Sequence, residues 1–357
     1  MRPSPLVLGI ETSCDDTACA VLDGEGRVLS SVVSSQLAAH RPYGGVVPEI
    51  ASREHLSNWP AVSGEALARA GVSLEDVDVV AATRGPGLVG ALLVGLSIGK
   101  GIAFASGRPF HAVHHLEGHL FSPFLRPPGS EPEPAEPPPR RFVGLVLSGG
   151  HSSLFAVEHG EVATLGETRD DAIGEVFDKV GKRLGLPYPQ GPRVDELAER
   201  GDPDTVRLPI ALRSETLDFS YSGLKSQTLL EIERLERTLG PLDLGSIDDE
   251  TEPPRPVLDL LAGFRAAAVG QVLSRLDRLA KEREIGLLAV SGGAAANRLL
   301  RRELPAWGQR NGVELKLVPL VYSGDNAAMI AHAALLRHLR GSTGDPFSAE
   351  AESRIPL

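Results

Sequence analysis

Residues 142–166 read FVGLVLSGGHSSLFAVEHGEVATLG. Three apolar runs rich in branched side chains, 142–147, 154–157 and 162–166, are separated by the polar bend SGGHSS and the turn EHGE. Short apolar runs broken by turn residues predict an antiparallel meander of three strands. The same outline stands at the start of the chain. Runs at 6–11, 18–22 and 27–33 are joined by the polar bend TSCDDT and the turn DGEG. Each meander is followed by helical sequence, so the chain carries an internal structural repeat.

A strand meander with a polar, phosphate-side bend and following helices, present twice, predicts an α/β chain of the duplicated actin-like ATPase (ASKHA) fold. Such a fold has two domains with a nucleotide and metal cleft between them. The expected boundaries are 1–126 for the first domain, with C-terminal helix contributions, 127–140 for a linker, 141–340 for the second domain and 341–357 for a tail. The linker contains PPGSEPEPAEPPP, whose proline and acid cannot build a core. A second acidic break is expected over 242–254.

With 357 residues, 42% of them apolar, the chain has room for two cores of ordinary size. Its two cysteines, Cys14 and Cys19, support neither a disulfide scaffold nor an extracellular setting, and Glu11 interrupts the first apolar run against a secretory leader. A reducing, cytoplasmic setting is expected. The uncharged run 85–99 is shorter than the ~20 residues of a membrane span and holds five glycines, so a buried helix is expected there. A net charge of −11 has the wrong sign for holding nucleic acid through the overall field. The two acidic breaks hold much of that surplus, which leaves room for a local basic patch including Arg298, Arg301 and Arg302.

Further elements follow in order. Residues 48–70 should be helical, with Pro60 bending or dividing them. A strand over 77–83 leads through RGPGLVG into a small-residue helix reaching about residue 105, and 109–113 is a short strand. After the second meander, 169–186 should be a helix and YPQGPRVDELAER a proline–glycine loop running into another. The polar-aromatic segment 218–225 opens a further helix. A strand over 285–290 runs into SGGAAAN and a helix, and a strand over 314–318 leads to SGDNAAM at a helix start.

Several of these bends could hold a ligand. Thr12–Thr17 offers hydroxyls, carboxylates and backbone N–H groups at a strand end, and Ser148, Gly149 and Gly150 are its counterpart, although either could be a plain turn. Asp178, Gly191 and Asp195 are candidates for contacts to ligand hydroxyls or amines, and Asn297 for a nucleoside sugar or base. The segment HAVHHLEGHL at 111–120 places His115 and His119 four apart, on one face of a helix, where two imidazoles could grip one metal ion. Asp325 is the candidate third ligand, and an aspartate capping a helix is the other reading. Glu117 lies about 200° around the helix from His115, which places a zinc-protease general base poorly.

Nine motifs taken together, LGIETSCDDT, YGGVVPEIASREH, GPGLVGALLVG, HHLEGH, SGGH, GEVFDK, SYSGLK, SGGAAANR and GDNAAMIA, resemble the TsaD family. These are the tRNA N6-adenosine threonylcarbamoyltransferases, once described as O-sialoglycoprotein endopeptidases. The resemblance implies transfer of a threonylcarbamoyl group from threonylcarbamoyl-AMP to N6 of adenosine 37 in tRNAs reading codons that begin with A, with release of AMP. It implies metal ligands at His115, His119 and Asp325, and ligand-binding positions at Val146, Leu147, Ser148, Gly149, Gly150, Asp178, Gly191, Asp195 and Asn297. One divalent metal per chain is expected, iron(II) first and zinc(II) as the alternative. Asp15 or Asp16 is the candidate catalytic carboxylate. The partners implied are tRNA, a small paralogous subunit of the TsaB type and an ATPase subunit of the TsaE type, with no membrane. Gln190 departs from the usual glycine, Ser152 and Ser153 from Thr-Gln, and the linker is longer than usual. A small-molecule kinase of the same fold would not need the histidine pair, and an actin-like assembly partner would not keep all three ligand candidates.

Overall fold

The computed structural model describes residues 4–129, 138–210, 216–245 and 252–357. Within the two acidic, proline-bearing breaks, residues 130–137 and 246–251 lie outside the described residues. The chain divides into two compact units, Met1–Pro139 with Val318–Leu357, and Arg140–Leu317.

In the first unit, β1 (Val7–Glu11), β2 (Asp16–Leu22) and β3 (Val28–Ser35) form the expected meander, with β1 and β2 antiparallel in the register Val7 to Leu22. A short helix α1 (Leu37–His40) and the long α2 (Pro48–Ala70) follow. Pro60 lies inside α2 without dividing it. Next come β4 (Val79–Gly85), α3 (Val89–Ser106), β5 (Phe110–His114) and α4 (His115–Phe121). β4 pairs parallel with β1, and β5 parallel with β4, giving the order β3-β2-β1-β4-β5.

The second unit repeats this plan. β6 (Arg141–Leu147), β7 (Ser152–Glu158) and β8 (Glu161–Glu167) are its meander, followed by α5 (Ile173–Arg183), α6 (Gln190–Ala198), α7 (Ser222–Leu239), α8 (Arg255–Glu282), β9 (Leu287–Ser291), α9 (Arg298–Asn311) and β10 (Glu314–Leu317). The sheet order β8-β7-β6-β9-β10 matches the first strand for strand, with the same two antiparallel and two parallel pairings. The last helix, α10 (Ala327–Leu339), packs on β1 and β2, and residues 318–357 belong to the first unit.

Three local readings change. The helix expected from residue 169 begins at Ile173, because Asp170 takes hydrogen bonds from Ser220, Ser222 and the Tyr221 N–H instead of joining a helix. Gln190 and Gly191 open α6 rather than a loop. The helix α3 is buried on one face only, since Val89, Leu93 and Phe104 stand exposed. By length and composition, α3 and α8 could cross a membrane, but 78% of the most apolar window of α8 is buried. That helix had no expectation from the sequence.

Candidate metal centre and ligand bends

The parallel strands β1, β4 and β5 end side by side, and the chain turns from β5 directly into α4. His114 caps that helix, its Nδ1 accepting the Leu116 N–H at 3.1 Å. The next residue, His115, and His119 one turn later then project from one face, with ring centroids 4.7 Å apart and planes nearly perpendicular. Asp325 enters just before α10. Its Oδ1 lies 3.1 Å from His119 Nε2 and 3.5 Å from His115 Nε2. One donor atom from each residue falls within 4.8 Å of the others, a grouping that could hold a metal ion. Asn326, not Asp325, caps α10, with its Oδ1 taking the Met329 N–H. Asp325 is therefore not used as that cap.

Behind His115 stands a residue that received no role from the sequence. Glu11, at the end of β1, is fully buried. Its Oε2 lies 3.2 Å from His115 Nδ1 and accepts the Thr83 hydroxyl at 2.6 Å, while its Oε1 accepts the Ser13 N–H at 2.5 Å. A carboxylate accepting from Nδ1 leaves the Nε2 lone pair directed at Asp325, which is the arrangement a metal-bound imidazole needs. Burial raises the Glu11 carboxyl, but the charge and hydrogen bond of His115 bring it below its usual range. Burial depresses His115, and Asp325 and Glu11 outweigh it, so the imidazole is pushed up to about 9 without an ion. The signal for Glu11 was its charge inside an apolar strand. Glu117 faces away from the ligands and is paired with Arg337.

The Thr12–Thr17 bend lies beside this cluster. Ser13 Oγ lies 3.2 Å from His115 Nδ1. Asp16 is raised to about 7 by burial and by the charges of Asp325 and Asp15.

The second unit brings its own candidates together in pairs. The bend after β6 is closed by Ser148, which donates its N–H to the His151 carbonyl and accepts the His151 N–H on its Oγ, leaving open space beside Gly149 and Gly150. Val146 and Leu147 are buried in β6. Asp178 Oδ1 accepts the Gly191 N–H at 2.7 Å. Asp195 accepts from Asn297 Nδ2 at 2.8 Å, from the Arg298 N–H at 3.0 Å and from Arg265, while Asn297 Oδ1 accepts the Leu300 N–H. Asp195 and Asn297 thus hold each other at the start of α9. Of the departures, Gln190 packs its Cβ where Gly181 leaves room, and Ser152 Oγ accepts the first N–H of α5.

Duplicated sheets of this order define an α/β protein of the actin-like ATPase fold class, here with a cluster of two imidazoles and a carboxylate suited to a metal. Solved structures share the fold. Component A of the Acidaminococcus fermentans (R)-2-hydroxyglutaryl-CoA dehydratase aligns with a TM-score of 0.53 at 17% identity, covering 94% of this chain and 99% of that one. HypF of T. kodakarensis aligns with a TM-score of 0.59 at 14% identity over 95% of this chain and 48% of its own. A profile of TsaD, tRNA N6-adenosine threonylcarbamoyltransferase, matches residues 27–332. Proteins of that name from Pelobacter propionicus and Sorangium cellulosum are 48% and 45% identical, covering 91% and 98% of this chain and 90% and 96% of their own. The chain belongs to the TsaD family.

Proposed function

We propose that this chain transfers the threonylcarbamoyl group from threonylcarbamoyl-AMP to N6 of adenosine 37 in tRNAs reading codons that begin with A. The N6 nitrogen bonds to the carbamoyl carbon, the bond from that carbon to the phosphate oxygen breaks, the amine loses a proton and AMP departs. The observation that carries this reading is the convergence of His115, His119 and Asp325 in a chain of this family.

In this reading those three residues hold one divalent ion, iron(II) first and zinc(II) as the alternative, since imidazole and carboxylate donors suit both. Bound there, the ion supplies positive charge toward carbonyl and phosphate oxygens of the donor. Glu11 keeps His115 in the tautomer that ligates. The amides of Ser148, Gly149 and Gly150 bind the AMP phosphate, with Val146 and Leu147 as the floor of that bend. Asp178 and Gly191 take a hydroxyl or amine of the donor, and Asn297, held by Asp195, keeps a second amide N–H for the nucleoside. AMP is already a good leaving group, so orientation and charge stabilisation supply most of the catalysis. Asp16, with Asp15 beside it, takes the proton of the attacking amine. Raised to about 7 by burial and by the charges of Asp325 and Asp15, its carboxylate is basic enough to accept that proton.

The exposed apolar side chains Leu56, Val89 and Leu93 support a protein partner, which we take to be a small paralogous subunit, with an ATPase subunit joining it. Arg298 and Arg302 are exposed on α9 and suit phosphate, but with a net charge of −11 tRNA recruitment is shared with the partners. Acting on tRNA supports a cytoplasmic setting. The test is to incubate the purified chain and partners with threonylcarbamoyl-AMP and unmodified tRNA, then to digest the tRNA and identify its nucleosides by mass. Threonylcarbamoyladenosine should form; tRNA that stays unmodified while the donor is consumed contradicts the reading.

A further inference from the structure

The sequence offered no purpose for residues 341–357. In the structure they run along the free edge of β5 and over the loop after β4. The Asp345 N–H donates to the Phe110 carbonyl at 2.6 Å, and its Oδ2 accepts the Ala112 N–H at 2.9 Å. Phe347 stacks on Phe110 at 6.3 Å between centroids. The Glu352 N–H donates to the Arg84 carbonyl at 2.9 Å, and the two side chains are paired. The segment then reaches His114, whose Nε2 lies 3.1 Å from the Ile355 carbonyl.

These anchors converge on the metal helix by three routes. The first is His114. A carbonyl only accepts, so Nε2 carries the proton given to Ile355, and Nδ1 is left as the acceptor that caps α4 one residue before His115. The second passes through the glycine loop. A Cβ at Gly85 would meet the Glu352 carbonyl at 2.2 Å, and one at Gly87 would meet the Ser13 carbonyl at 2.6 Å, so the loop is pressed between the segment and the bend that touches His115. The third is Asp345, 3.6 Å from Arg337, which pairs with Glu117 on α4.

We propose that residues 345–355 form a strap that sets the orientation of α4, with His114 as the positioning residue through which the Ile355 carbonyl fixes the helix entry beside His115. This rests on the metal reading of His115, His119 and Asp325. Cobalt(II) serves as the probe, because its visible absorption reports ligand geometry apart from turnover. His114→Asn keeps an oxygen able to cap α4 but cannot reach Ile355. The double variant Phe347→Ala/Glu352→Ala loosens the strap away from the ligands, and decides the matter if His114→Asn loses helical circular dichroism.

Both variants, in the full chain, should bind cobalt(II) about tenfold more weakly than wild type, with a shifted visible band and unchanged circular dichroism. Cobalt affinities and spectra that match wild type in a folded variant overturn the strap and leave the metal reading standing. A wild-type chain that binds no cobalt(II) sinks both.

Discussion

Glu11 shows what the residue scale decides. A fully buried carboxylate must find partners, and its oxygens accept from Ser13 and Thr83 while it faces His115 Nδ1. Its amide analogue, Glu11→Gln, loses the charge that favours Nε2 as the ligand, and metal affinity should fall about 10- to 100-fold in chelator competition. An unchanged affinity would remove Glu11 from the account. Protons would compete with a bound ion for the same imidazole. Since His115 is raised from 6.5 to about 9 when metal-free, its proton stabilises the metal-free fold fully below about pH 6.5, and that contribution is lost as pH rises through about 9. The melting temperature of chelated protein should therefore fall between pH 6.5 and 9. Metal affinity should rise over the same interval, by on the order of tenfold per pH unit if one proton is displaced. A melting temperature that climbs over that range contradicts the assignment. The histidine half of the His115, His119 and Asp325 grouping was legible because HxxxH places two side chains on one face. Glu11 was not, since one charge in an apolar strand reads equally as an edge or an interruption.

Elements hold these residues at their distances through close approaches. At Gly9 in β1, a Cβ would meet the Ala327 carbonyl at 2.3 Å, so α10 sits directly on the strand and Asp325 at its entry is set by that seat. Gly9→Ala should cost about 1–3 kcal/mol by denaturant unfolding and weaken metal binding with it, whereas normal affinity in the destabilised variant would uncouple seat from ligand. Gly95 in α3 faces Thr12 in the same way, with a Cβ 2.3 Å from its hydroxyl oxygen. Both meanders could be read from the sequence because strand alternation and turn residues agree. The long helix α8 could not. It is buried over most of its surface, with Asp259, Arg265 and Arg275 inside, so no polar stripe marks its period. The start of α5 was misplaced because Asp170 serves α7 from outside the helix.

At the scale of the whole molecule, the repeat of strand order gives each unit a bend after its first strand, and the two bends differ in chemistry. The first carries carboxylates beside imidazoles, the second glycines with open space. The most direct test of the central claim is a titration of iron(II) into metal-stripped protein, with the rate of threonylcarbamoyl transfer to tRNA read at each addition. The account predicts a rate near background without metal, rising linearly and breaking at one equivalent per chain. Full transfer by the stripped protein, or a His119→Ala variant that titrates like wild type, would contradict it.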